Sequence, residues 1–104
     1  GQGVFFDVTA DWCLTCQINK GVLLSDELSK ALLSNKNIIK MQADWTLPDP
    51  TFLSYLESYK RFGIPFNVIY GPANVDGIVL PELLSESSML KAFKDALGPE
   101  NLVK

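Results

Sequence analysis

Apolar residues fall along this chain in two rhythms, and the alternation between them predicts its elements. Residues 4–8 (Val-Phe-Phe-Asp-Val) are apolar apart from Asp7 and read as a buried strand. A first helix is expected from the cysteines near residue 13 to about Leu24, weakened late by Gly21. Ser25-Asp26-Glu27 signals a second helix start, with Ser25 as cap and Leu28, Leu32 and Leu33 (with Ala31) on one face. Asn35 is suited to close it in a left-handed conformation. Residues 37–43 read as a second strand. Asp49-Pro50 opens a helix with Phe52, Leu53, Leu56, Tyr59 and Phe62 at helical spacing and Gly63 as its stop. Residues 64–70 form a third strand with Pro65 at its entrance. Residues 71–77 have turn composition throughout, and 78–80 make a short fourth strand. Ser85 or Ser87 caps a last helix carrying Met89, Leu90, Phe93, Ala96 and Leu97, closed by Gly98-Pro99, and 100–104 is expected to fray.

Strand, two-piece helix, strand, helix, strand, strand, helix is an α/β order. Its first half implies parallel pairing through a crossover, and its late strand pair implies an antiparallel hairpin. The expected architecture is a four-stranded mixed sheet with helices on both faces. The chain echoes itself once: Ala10-Asp11-Trp12-Cys13 against Ala43-Asp44-Trp45-Thr46, each just after a strand. That placement would put both at the same edge of the sheet, although four residues could equally match by chance.

Composition narrows the chemistry. The 104 residues suit one domain, and 47% hydrophobic with 20% charged residues is ordinary for a globular fold. A net charge of −3, with no basic run longer than Lys60-Arg61, argues against nucleic-acid binding. No apolar run approaches the roughly 20 residues that span a bilayer. Gly1-Gln2-Gly3 leads straight into the first strand without a signal peptide, and so abrupt a start suggests either a domain excised from a longer chain or a trimmed one.

The chemistry concentrates in Trp12-Cys13-Leu14-Thr15-Cys16, where the first strand hands over to a helix. Unpaired amides and the macrodipole at a helix start favour a thiolate at Cys13, the species that attacks a disulfide. Cys16 lies one turn further in, within reach to close a ring. The same two cysteines could instead be buried hydrophobes, an inert structural disulfide or half of a zinc site, although the chain has no histidine and no third cysteine. A soft-metal carrier would lack methionine or histidine at ligand spacing.

Trp-Cys-x-x-Cys after a strand, with Gly63-Ile64-Pro65 far downstream, resembles the thioredoxin fold over nearly the whole chain. Residues 7–16, Ala43-Asp44-Trp45-Thr46, 63–70 and Leu80-Pro81-Glu82-Leu83-Leu84 further resemble the C-terminal thioredoxin-like domain of the DsbD family of membrane thiol:disulfide interchange proteins. The resemblance implies Cys13 as exposed nucleophile and Cys16 as resolving thiol. It implies a cis Pro65 against the disulfide, with the Ile64 backbone offered to a partner. Asp7 matches the acid beneath the cysteines, where burial should raise its pKa and let it exchange a proton with Cys16. Trp12 would shape the docking surface, Asp11 is a loop acid beside the site, and Trp45 belongs equally to site rim or core. Some relatives carry glutamate four residues after the second cysteine, where this chain has Lys20.

No cofactor beyond the Cys13–Cys16 pair is implied. The implied partners are disulfide-bearing protein domains and a membrane-embedded electron-donor domain of the same protein, with this segment a monomeric domain. The implied location is the periplasmic face of the bacterial inner membrane, and the implied process includes cytochrome c biogenesis. Two other readings fit: a free-standing thioredoxin-like protein reduced by a soluble reductase, and a non-catalytic binding module of the same fold.

Overall fold

Strand β1 (Gly3–Thr9) is covered on both faces, which is why its apolar run is nearly continuous. Phe5 points into a cluster with Leu32, Ile69, Met89, Phe93 and Leu97, while Phe6 and Val8 point the other way, to Leu56, Phe66 and Val68. The computed structural model describes residues 2–47, 49–61 and 63–98, and for 24 and 25 the backbone alone. The remaining elements are α1 (Leu14–Ser25), α2 (Glu27–Ser34), β2 (Ile38–Asp44), α3 (Pro50–Ser58), β3 (Phe66–Gly71), β4 (Asn74–Val79) and α4 (Glu86–Leu97). The sheet order is β2-β1-β3-β4. β1 runs parallel to β2, from Gly3 opposite Ile38 to Thr9 opposite Asp44, and antiparallel to β3, from Val4 opposite Tyr70 to Val8 opposite Phe66. β3 and β4 form the antiparallel hairpin. Residues of α1, α2 and α4 pack on the Phe5 face, and α3 covers the other. The mixed four-stranded sheet with helices on both faces is the expected one.

Several boundaries differ from the sequence reading, each for a local reason. α1 continues through Ser25, so Asp26, not Ser25, caps α2, its Oδ2 accepting from the Ser29 amide at 2.9 Å. That bond, worth more to a carboxylate than to a hydroxyl, holds the Asp26 carboxyl below its ordinary pKa. Asn35 is not left-handed (φ −60°): its Oδ1 accepts from the Asn37 amide at 2.8 Å, a side-chain turn that closes the helix instead. Asp49 and Pro50 start α3 as expected, Asp49 Oδ1 accepting from Thr51 N at 2.9 Å. The helix stops before Gly63, because Lys60 takes the left-handed conformation (φ 60°) and Arg61 N donates back to Leu56 O at 3.0 Å. Phe62 lies outside the described residues, and Leu53 is exposed rather than on the buried face.

β3 begins at Phe66, after Pro65. β4 starts at Asn74, so most of the segment expected as turn is strand, and Gly77 within it adopts φ 94°. A side chain there would collide with the Tyr70 ring and Val68. Of the two candidate serines, Ser85 caps α4, exchanging hydrogen bonds with Ser88 in a capping box. Gly98 ends the helix at φ 87°, while Pro99 and the expected frayed tail lie outside the described residues.

Candidate active site

The site begins where β1 ends. Ala10 O accepts from Cys13 N at 3.2 Å, closing a tight turn that sets Cys13 in extended conformation (φ −91°, ψ 101°) as the N-cap of α1. The cap atom is a sulfur: Cys13 Sγ accepts from the Cys16 amide at 3.1 Å. This is one of the helix-start amides that lack an intrahelical partner. The two cysteines are joined as a disulfide, with their Cα atoms 5.3 Å apart. When that bond is reduced, the same amide and the same helix start favour negative charge on Cys13.

Exposure is where the sequence reading needs correcting. Cys13 was expected to face solvent, but in this oxidised form it is 5% exposed and Cys16 3%. Both pack with Ala10, and Ile64 leans over the three. The asymmetry between the cysteines lies in position, Cys13 capping the helix and Cys16 inside it, and not in solvent contact. The Ile64–Pro65 bond is cis, as the resemblance implied. Ile64 is half-buried between the cysteine cluster and the Val8–Leu56 cluster, and Pro65 is buried.

Trp12 is 62% exposed, and a second loop holds it in place. Its Nε1 donates to Thr46 O at 3.1 Å, and Asp11 N donates to Thr46 Oγ1 at 2.9 Å. Thr46 is fixed in turn by Asp44 Oδ1, which accepts from its amide at 2.8 Å and from its hydroxyl. These bonds pull the Asp44 carboxyl below its ordinary pKa. Trp45 N donates to Thr9 O at 2.7 Å, extending the parallel pairing into the loop. The two Ala-Asp-Trp echoes therefore do meet at one sheet edge. Trp45 itself is half-buried against the Val8–Leu56 cluster and belongs to the core.

Asp7 sits further down β1, opposite Gln42 of β2 and Asn67 of β3. It lies on the face that α1 covers and lines a cleft of about 540 Å³ with Phe5, Lys20, Leu23, Lys40 and Gln42. Burial raises its pKa, and the charge of Lys20 partly opposes the rise. Lys20 thus acts on this acid, in the direction opposite to a glutamate. Among the described residues, no group of three or more His, Cys, Asp or Glu is placed to hold a metal ion.

The sequence reading missed four residues. Thr46 is the hub of the Trp12 loop, and the Ala-Asp-Trp repeat was its only signal. Buried Asn19 ties α1 to the segment before α4, donating to Glu82 O at 2.7 Å and accepting from Leu84 N at 3.0 Å. Leu14 and Ile18 are large apolar residues left exposed one turn apart on α1; the uninterrupted polar and apolar mixture of that helix gave no hint of it.

A disulfide capping a helix at the end of a central parallel strand, in a mixed sheet covered on both faces, defines a thioredoxin-fold domain that performs thiol–disulfide exchange. Residues 1–72 match the thioredoxin-like family, and the chain belongs to it. Thiol:disulfide interchange protein DsbD 1 of Pseudomonas aeruginosa is 29% identical over 72 residues, covering 69% of this chain. The match spans 12% of that protein's length. Among solved structures, the oxidised C-terminal domain of Neisseria meningitidis DsbD superposes with a TM-score of 0.65 at 23% identity, covering 89% of this chain and 78% of that one. A thioredoxin from Thermus thermophilus gives 0.56 at 19% identity, covering 91% and 71%. The chain is thus a thiol:disulfide oxidoreductase domain similar to the C-terminal domain of DsbD. No helix among the described residues is long and apolar enough to cross a membrane.

Proposed function

We propose that this domain works as a protein-disulfide reductase, taking electrons from a membrane-embedded donor domain of the same protein and passing them to disulfide-bearing partner domains on the periplasmic side of the bacterial inner membrane. The single observation that carries the exchange chemistry is Cys13 Sγ seated on the Cys16 amide at the start of α1. The relation to DsbD supports the membrane donor, the periplasmic side and the origin of the segment as one domain of a longer protein.

In the reductive direction the Cys13 thiolate attacks a partner disulfide, forming a mixed disulfide and releasing one partner thiolate. Cys16 gives up its proton, attacks Cys13 Sγ and expels the second partner thiolate, leaving Cys13–Cys16 oxidised. Asp7 is the proton acceptor we assign to Cys16: the charge of the thiol proton has to go somewhere within the covered site, and a carboxyl with a raised pKa matches it better than an ordinary one. Trp12, Ile64 and Pro65 form the docking surface. Exposed Leu14, Ile18 and Leu47 extend its apolar character around the disulfide, as a partner-binding patch requires.

The test is covalent trapping. In Cys16→Ser the mixed disulfide on Cys13 has no resolving thiol, so discrete partner adducts should accumulate and vanish when Cys13→Ser is added. Adducts that persist in the double variant would reject these roles.

A further inference from the structure

One polar row crosses the sheet from solvent into the core. The register sets Gln42 of β2 and Asn67 of β3 on either side of Asp7 of β1, and side chains opposite one another in a sheet share a face. Gln42 is exposed and lines the cleft, Asp7 is half-buried, and Asn67 is 2% exposed. Asn67 Oδ1 has no hydrogen-bond partner among the described residues. A buried acceptor left unpaired costs about 1–3 kcal/mol, so its presence needs a reason. The neighbour across the strand supplies one. An ionised carboxylate only accepts hydrogen bonds and cannot satisfy an amide oxygen, whereas a protonated carboxyl donates one.

We propose that Asn67 is a positioning residue whose side-chain oxygen accepts a hydrogen bond from the protonated carboxyl of Asp7 during each exchange cycle. The inference rests on the reading of Asp7 as the acceptor of the Cys16 proton. Cys16 and Lys20 are four residues apart on one face of α1, and Lys20 lines the cleft beside Asp7, so α1 aligns the thiol and the acid along the same face. In the step, the Cys16 S–H bond breaks and the Asp7 O–H bond forms; the Cys16 thiolate then takes Cys13 Sγ from the partner sulfur, which leaves as thiolate. Asn67 stabilises the newly neutral Asp7 from the β3 side. The proton later returns to water through the cleft at Gln42. The charged groups facing Asp7 are Lys20 from α1, Lys30 from α2 (3.4 Å from Glu27) and Lys40 from β2. β3 offers neutral Asn67, and the buried residues of α4 are Met89, Ala92, Phe93, Ala96 and Leu97, none of them charged. Burial favours the protonated form of Asp7 and the charge of Lys20 the ionised one; the Asn67 bond adds to the side of burial.

The experiment uses the reduced chain and the coloured disulfide of thionitrobenzoate. The first thiolate released reports attack by Cys13, the second reports attack by Cys16. Asn67→Val should slow the second release several-fold and leave the first unchanged. It should also lower the Asp7 titration midpoint, followed by carboxyl-carbon NMR, by about half to one pH unit, the equivalent of one hydrogen bond. Asn67→Ser, which keeps an oxygen, should restore part of both. In the unaltered protein, which needs no variant to fold, the Asn67 side-chain amide resonance should titrate with the Asp7 midpoint. An Asp7 midpoint unmoved or raised in Asn67→Val, both releases slowed alike, or a flat Asn67 amide resonance would overturn the proposal. Asp7→Asn separates the two readings. If it leaves the pH profile of the second release unchanged, Asp7 is not the acceptor; if it flattens the profile while Asn67→Val does not alter it, Asn67 alone is refuted.

Discussion

The same three residues, Ala-Asp-Trp, stand just after β1 and across the end of the neighbouring parallel strand β2, and the turns they lead into meet side by side, yet they do opposite work. In the first, Trp12 is exposed and Cys13 caps a helix with its sulfur. In the second, Trp45 is drawn into the core under α3, and Thr46 ties the loop to Asp44 on one side and to Asp11 and Trp12 on the other. The fourth residue decides the difference. A cysteine followed by a helix presents a reactive atom to unpaired amides. A threonine without a helix uses its hydroxyl and carbonyl as struts for the neighbouring turn. The reactive turn is held by the inert one.

Four substitutions press on this contrast. The largest effect belongs to Cys13→Ser, which should abolish dithiol exchange in an insulin-reduction assay while leaving the fold intact by circular dichroism. Next comes Trp45→Ala, which removes a half-buried ring from the core and should cost about 2–3 kcal/mol in urea unfolding. Trp12→Ala should cost less than about 0.5 kcal/mol, because its ring is already in water. Between them lies Thr46→Val, which removes the hydroxyl bonds with Asp11 N and Asp44 without changing size, leaves the carbonyl bond from Trp12 in place, and should lower the thermal midpoint by roughly 4 °C. Its effect has a defined pH dependence. The Thr46 bonds depress the Asp44 pKa below the ordinary 3.8, so their stabilisation is complete above that value and is lost as pH falls through the depressed one. The gap between Thr46→Val and the parent should therefore shrink in acid. The smallest effect on stability is that of Trp12→Ala, but partner trapping on Cys13 should weaken in this variant. Equal destabilisation by the two tryptophan substitutions would erase the distinction between the turns.

What the sequence made legible follows from range. β1, the α3 start at Asp49-Pro50, the Ser85 cap and the Cys13–Cys16 helix start are written in residues a few positions apart, and they appear where expected. The errors arise where two local signals compete. Ser25 and Asp26 both cap well, and the winner depended on how far α1 ran. Gly63 is the better left-handed residue, yet Lys60 took that conformation, with Arg61 N closing back on Leu56 O. Contacts between distant segments left no local trace: Asn19 reaching Glu82 and Leu84, Asn67 opposite Asp7, and Thr46 under Trp12 depend on register, which no window of the chain displays. The burial of Cys13 is of the same kind, since Ile64 arrives from the far side of α3 to cover it.

The central claim is that the helix start makes Cys13, and not Cys16, the thiolate that attacks. The most direct measurement is the rate of iodoacetamide alkylation at each cysteine of the reduced chain as a function of pH, resolved by peptide mass. Cys13 should react faster throughout the neutral range, with a midpoint below the roughly 8.5 of a free thiol, and Cys16 should lag. Equal, sluggish alkylation of both, or faster reaction at Cys16, would contradict it.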